Sequence, residues 1–245
     1  MIIEINGGRE MECVMDREQE EEKIEQLLTD LQQERRLRRL AELKSLQAQV
    51  EPHFLYNTLD AIMWLVEAEK QQEAVEMLSQ LSLFFRISLS KGQDVICLKE
   101  EIEHTRSYME IQKRCYHDIM DYKIKLPKEL EEIKLPKFTI QPLAENALYH
   151  GAKAKRGKSM IQIACQDLEG DILIIVEDNG AGMKSDKLIE LQQALGEGKR
   201  VGFGLAVVHE RIRLYCGKPY GVKINSKYGE GTRVEVQIPK ELLPI

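Results

Sequence analysis

The sequence predicts an α plus α/β architecture: a long coiled-coil helix and a helical hairpin forming a dimeric four-helix bundle, followed by an α/β sandwich. Three observations predict it. Residues 16–49 contain no Pro or Gly, and their apolar residues recur at three-and-four spacing. Residues 51–93 carry two more amphipathic helical stretches ending at Gly92. From residue 94 onward, helical segments alternate with short apolar strands.

Residues 1–15 are weakly patterned and broken by "NGG" (Asn6 to Gly8). The helix that follows places Ile24, Leu27, Leu28 and Leu31, then Leu37, Leu40, Leu43, Leu46 and Val50, along one seam. At 1.5 Å per residue it spans about 50 Å, too thin to bury its own stripe, so a partner helix is implied. The seam has a polar gap at "QQERR" (Gln32 to Arg36), and such gaps permit alternative registers at a cost in stability. After Pro52 the helix resumes with Leu55, Leu59, Ile62, Met63 and Val66 on one face. A second helix, Gln72 to Ser90, carries Val75, Leu78, Leu81, Phe85 and Leu89. Two such helices form a hairpin that pairs into a four-helix bundle by dimerisation.

The sandwich occupies residues 94–242. Helices are predicted at Glu100 to Cys115, Phe138 to Ala152, "SDKLIELQQAL" and "FGLAVVHERIRLYCG". Strands are predicted at Met120 to Leu126, "MIQIAC", "DILIIVED", "VKINS" and "TRVEVQIP".

Composition narrows the function. A net charge of -6 with pI ≈ 5.6 argues against a nucleic-acid partner, and "ERRLRRL" (Glu34 to Leu40) reads as a solvated coiled-coil face. Five scattered cysteines without a C-x-x-C pair read as reduced thiols rather than a disulfide frame or zinc site. No apolar run approaches the roughly 18 residues of a membrane helix, and no signal peptide is evident. The chain is therefore expected to be cytoplasmic, on its own or as the intracellular part of a plasma-membrane receptor.

Four glycine-bearing stretches carry the chemistry. "GAKAKRGKS" (Gly151 to Ser159) has five residues, not four, before its Gly-Lys-Ser, and follows a helix rather than a strand, so it is not a P-loop. "GEGKRVGFG" puts Val201 where a third dinucleotide-binding glycine belongs. "DNGAG" (Asp178 to Gly182) instead ends a strand with a carboxylate and a loop able to approach a ligand closely. "GFGL" (Gly202 to Leu205) opens a helix whose free N–H groups can hold an anion. "YGEGT" (Tyr228 to Thr232) turns into the last strand. Upstream, "ENALYHG" sets Asn146 and His150 on one helical face.

In this order, "ENALYHG", "DNGAG", "GFGL" and "GEGT" resemble the N, G1, G2 and final glycine elements of the GHKL (Bergerat) ATP-binding fold. "QVEPHFLYNTLDAI" is similar to the phosphoacceptor box of LytS/YesM-type sensor histidine kinases, and "FTIQPLAENALYHG" to that subfamily's N element. The resemblance covers residues 40 to 240. It implies ATP and Mg2+ as cofactors, a homodimer, and a response regulator receiver domain whose aspartate takes the phosphate. Asp178 would bind the adenine amino group and Thr232 would sit near the ring. Asn146 would coordinate magnesium, and Gly180, Gly182, Gly202, Gly204 and Leu205 would line the nucleotide, with residues 183–201 as a lid. His150 is the better phosphate contact, because Tyr149 fills a position often basic in the family. GHKL hydrolases carry a glutamate four residues before the asparagine; that position is Pro142 here, which favours transfer to protein over hydrolysis.

The same resemblance makes His53 the phosphoacceptor, with Asn57 and Glu145 completing the candidate catalytic set. A neutral imidazole is a competent nucleophile near pH 7. Pro52 reads as a kink that presents His53 and makes the segment mechanically sensitive. The remaining histidines, His104, His117 and His209, are expected to be structural or solvent-exposed. Two rival functions fit the same motifs: an ATP-hydrolysing GHKL ATPase, and a nucleotide-sensing dimerisation module without phosphotransfer.

Overall fold

The computed structural model describes residues 34, 52–89, 93–197 and 203–242. The chain divides into two units, Met1–Gln49 and Val50–Ile245, and the second contains every element below. The expected coiled-coil helix lies outside the described residues apart from Glu34, as do the chain segment before Pro52, where the kink is expected, and Gly202.

Helix α1 is described over Pro52–Glu67. It is joined to α2 (Gln71–Ser88) by a turn in which Lys70 N–H reaches the Leu65 carbonyl at 2.8 Å and Glu69 N–H the Val66 carbonyl at 3.0 Å. Glu69 there has φ 60, the left-handed cap that closes many helices. Helix α3 (Leu98–Cys115) starts where the Glu100 carboxylate accepts the Cys97 N–H at 2.9 Å, half of a capping box. It packs along α2 and also touches α1.

The hairpin has two apolar faces. Phe54, Ile62 and Leu65 of α1, with Ala74, Met77, Leu81 and Phe84 of α2, are buried. Much of the face expected from the spacing points outward: Leu59, Met63, Val66, Val75, Leu78 and Leu89 are exposed, together with Trp64. The buried face exists because α3 covers it. Phe54 lies 5.1 Å from Phe84 and 5.3 Å from Tyr108, and His104 stacks on Phe84 at 4.4 Å.

A five-stranded sheet follows, in the order β2-β4-β5-β7-β6. Its strands are β2 (Met120–Lys125), β4 (Ser159–Asp167), β5 (Asp171–Asp178), β6 (Gly221–Lys227) and β7 (Gly231–Pro239). Only β2 and β4 run parallel; the other pairs are antiparallel. A separate ribbon pairs β1 (Val95–Cys97) with β3 (Lys134–Pro136), two short strands that periodicity does not reveal. The helix expected from Phe138 starts only at Gln141, since Phe138 sits at φ 59. It runs as α4 (Gln141–Asn146) and widens into a π-helical turn, Ala147–Ala152. Helix α5 (Ser185–Glu197) packs on β6, while α6 (Phe203–Cys216) packs on α4 and β6. Both His104 and His209 are buried, and His117 is exposed.

Phe84, 7% exposed, joins all three helices of the hairpin layer. Phe84→Ala is expected to lower stability by about 3–5 kcal/mol, read as a shift in the urea midpoint at unchanged slope.

Candidate functional site

The site grows out of strand register. Across β4, β5, β7 and β6, Cys165, Ile174, Val236 and Val222 align as one row of buried side chains, and Ile163, Val176, Val234 and Ile224 as the next. The period of two then brings Ile161, Asp178, Thr232 and Ser226 into the third row, on the same face. Three polar groups therefore occupy the inner face where the core rows end. Ser226 Oγ and Thr232 Oγ1 are 2.9 Å apart, and Ser226 Oγ also accepts the Met183 N–H at 2.8 Å.

Asp178 is 5% exposed. Its Oδ1 accepts the Gly180 N–H at 2.8 Å, and the Thr232 N–H also stabilises its charge. Burial outweighs both donors and pushes the carboxyl up from 3.8 to about 6. That rise corresponds to about 3 kcal/mol held against the ionised form. A raised carboxyl binds its proton more tightly when folded, so this penalty acts above about pH 6 and is absent below the ordinary value.

Glycines let backbone close around this carboxyl. A Cβ on Gly151 would stand 2.4 Å from Asp178 Oδ1, and one on Gly180 would stand 2.2 Å from the Gly151 carbonyl carbon. The Ala181 N–H bonds the Gly151 carbonyl at 3.1 Å, and the Gly229 N–H the Ala181 carbonyl at 2.7 Å. These contacts knit the π-helical turn, the "DNGAG" loop and the β6–β7 turn together. Gly182, at φ 62, lies against the Lys227 carbonyl in the same knot.

Beside it, α4 supplies Asn146, whose buried Nδ2 has no hydrogen-bond partner. A Cβ on Gly204 would stand 2.8 Å from that atom, so the first turn of α6 meets the end of α4 at this amide. An unpartnered buried amide beside open backbone is the feature expected of a ligand-facing group. Among the described residues no three His, Cys, Asp or Glu side chains converge on a metal position. Magnesium takes oxygen ligands, so of this side chain it could use only Oδ1, its shell being completed by phosphate oxygens and water, while the orphaned Nδ2 is a donor suited to an anionic oxygen. Glu145 accepts from Gln141 Nε2 at 3.0 Å. His150 is exposed, and Leu205 is buried at 8% exposure.

His53 stands on a different element, α1, and is exposed. Asn57 Nδ2 lies 3.3 Å from its Nδ1 and 3.2 Å from its Nε2, so the amide can donate to whichever ring nitrogen is unprotonated. Asp178, Gly180, Gly182, Thr232, Asn146 and Gly204 are thus gathered in one region, with His53 and Asn57 together on the hairpin.

Sequence reasoning missed Ser226, and it missed Lys155, which donates to the Asn179 carbonyl from the basic loop after α4. It also missed Tyr116, whose ring with that of Tyr149 holds Lys153 Nζ at 3.6 and 3.7 Å. For Ser226 the signal was present: it lies two residues beyond Ile224 on a strand of period two.

Because a methyl on Gly151 collides with a short, hydrogen-bonded side chain, Gly151→Ala is expected to cost about 1–3 kcal/mol. Chemical denaturation would measure it.

Two family models match this chain. Residues 41–120 match the histidine kinase model, and residues 132–242 match the histidine kinase-, DNA gyrase B- and HSP90-like ATPase model. The sensor histidine kinase YesM of Bacillus subtilis is 36% identical over 89% of this chain and 36% of its own length. The sensor histidine kinase BtsS of Escherichia coli is 31% identical over 81% and 33%, respectively. The sensor protein LytS of Bacillus cereus is 30% identical over 82% and 34%. The chain spans about a third of the length of these relatives. Similar to them through both the hairpin and the sheet domain, the chain belongs to the sensor histidine kinase family of the YesM and LytS type.

Proposed function

We propose that this chain is the transmitter region of a two-component sensor kinase, in which His53 takes the γ-phosphoryl group of ATP and passes it to an aspartate on a response regulator receiver domain. The observation that carries the nucleotide half is the pairing of a buried carboxyl with a raised proton affinity, Asp178, and an unpartnered buried amide, Asn146, around a knot of glycines. An adenine amino group is a hydrogen-bond donor and suits the Asp178 carboxylate, with Thr232 and Ser226 beside it. We assign the phosphates to Asn146 and Gly204, with Leu205 and His150 flanking them; Gly202, given the same role by the family resemblance, lies outside the described residues. Asn146 would hold magnesium through its Oδ1, where that ion would neutralise charge on the phosphate oxygens, and Glu145 is assigned to the catalytic set.

His53 has the exposure a phosphoacceptor needs. One ring nitrogen attacks phosphorus with its lone pair while the bond to the ADP oxygen breaks. Asn57, in contact with the ring, orients the acceptor. We assign residues 51–93 to dimerisation and phosphotransfer and 94–242 to ATP binding and catalysis, with 16–50 as a coiled-coil signalling helix. The exposed row of Leu59, Met63, Val66, Val75 and Leu78 supports a homodimer that closes a four-helix bundle, since such contiguous apolar surface marks an interaction face. Among the described residues no helix is long and apolar enough to cross a membrane, and the four described cysteines are free thiols. We place the reaction in the cytoplasm. Pro142 lies in the first turn of α4, where a hydrolysing relative would have its glutamate, so transfer is favoured over hydrolysis.

Incubation with labelled ATP and magnesium is expected to yield an acid-labile, base-stable phosphoprotein, as a phosphoramidate requires. His53→Gln should abolish the label and leave ATP binding intact. Label that survives this change would refute the acceptor. Binding without any label, in a chain that also releases no free phosphate, would favour a nucleotide-sensing module.

A further inference from the structure

The loop entering α4, residues 137–140, is held by two buried ionisable side chains from two other helices. Glu101 of α3 is wholly buried and accepts the N–H of Phe138 at 3.0 Å and of Ile140 at 2.8 Å. Burial raises its proton affinity, opposed by the N–H groups of Ile140, Phe138 and Thr139. Arg211 of α6, 6% exposed, donates an Nη1–H to the Lys137 carbonyl at 2.6 Å. The loop's donors thus meet a carboxyl and its acceptor meets a guanidinium. The same loop reaches the hairpin, because Lys137 Nζ donates to the Ser88 carbonyl at 2.6 Å. The Ser88 hydroxyl in turn meets Nε2 of His104, one turn after Glu101 on α3, at 2.8 Å. Phe138 is held at φ 59, a conformation uncommon for a bulky side chain, with its ring edge-on to His104 at 5.3 Å.

Buried ionisable side chains are poor sources of stability, and their retention suits a role in fixing one geometry among several. The geometry at stake lies one short helix away. α4 leaves this loop and ends at Asn146, whose unpartnered amide faces Gly204 at the start of α6, the helix that carries Arg211. The two helices that meet at Asn146 and Gly204 are therefore tied a second time, at the loop, and the end of α2 is tied there with them.

We propose that Glu101 and Arg211 are positioning residues that set where Asn146 stands relative to Gly204 and to the hairpin end at Ser88. The role rests on Asn146 serving magnesium and phosphate, as assigned above. Neither side chain touches the nucleotide; each acts through the backbone of residues 137–140.

The full chain and its Glu101→Gln and Arg211→Lys variants would be compared by calorimetric binding of adenosine and of a non-hydrolysable ATP analogue, the latter with and without magnesium. Adenosine depends on Asp178 and Thr232 and should bind within about twofold of the unaltered chain. The tightening that magnesium gives the analogue should fall about tenfold in Glu101→Gln and less in Arg211→Lys, which keeps the charge. Hydrogen exchange of amides 138–148 should accelerate in both variants. A folded Glu101→Gln chain with unchanged magnesium dependence and unchanged exchange would overturn the proposal. Proportional loss of adenosine and analogue affinity would overturn it as well, by marking the pair as merely structural. If the unaltered chain binds no nucleotide, the functional assignment fails by itself, and exchange of amides 138–148 alone decides whether the pair positions α4.

Discussion

The alignment of Ile161, Asp178, Thr232 and Ser226 across one end of the sheet is the constraint on which the site depends. These residues share a face with two rows of buried Ile, Val and Cys side chains, so Asp178 faces inward for the same reason its neighbours do. A slip of one residue would turn the whole strand over, exposing the core and sending the carboxyl to the other face. The hydrophobic effect thus fixes the position of a charged group. Once Asp178 faces inward, the backbone above it must come close, and only glycine at 151 and 180 allows that approach. The carboxyl is left dry, with a proton affinity that a ligand donor could offset.

The hairpin obeys a different logic. Its helices carry apolar residues on two sides. α3 covers one side through Phe54, Phe84, His104 and Tyr108. Burial of His104 and the nearby Lys137 ammonium lower its proton affinity to a pKa of about 3, so it serves as a neutral aromatic plate in that layer. The other side stays open along Leu59, Met63 and Val66. One face attaches the hairpin to the rest of its own chain, and the other is the one we propose for a second copy. Between hairpin and sheet, the loop at residues 137–140 donates to Ser88 of α2 and Glu101 of α3 and accepts from Arg211 of α6.

Much of this was legible in the sequence. Helix and strand identities followed from period, and Gly180, Gly182 and Gly204 were picked out at strand and helix ends, whereas Gly151, which closes on Asp178, was not among the candidate site residues. Asp178 stood out as a carboxylate closing the apolar run Ile172 to Val176. What escaped detection depends on tertiary partners. "LKEEIEH" holds three carboxylates, and Glu101 is told apart only by sharing a face with Leu98, Thr105 and Tyr108, all buried. The exposed and buried faces of the hairpin could not be assigned before α3 was known to lie against it. Phe138 looked helical because its left-handed backbone is imposed by neighbours on other elements, Glu101 among them. The short β1–β3 ribbon has too few residues for any period to register.

The claim that Asp178 is a nucleotide-reading carboxyl is tested most directly by following its side-chain carbon signal by NMR across pH, with and without saturating adenosine. Alone, the group should titrate near about 6, as its burial dictates. With adenosine bound, the amino group donates to the ionised form and the titration should move to lower pH. An unchanged titration curve at saturating adenosine would contradict the account, because it would mean that the carboxyl does not feel the base.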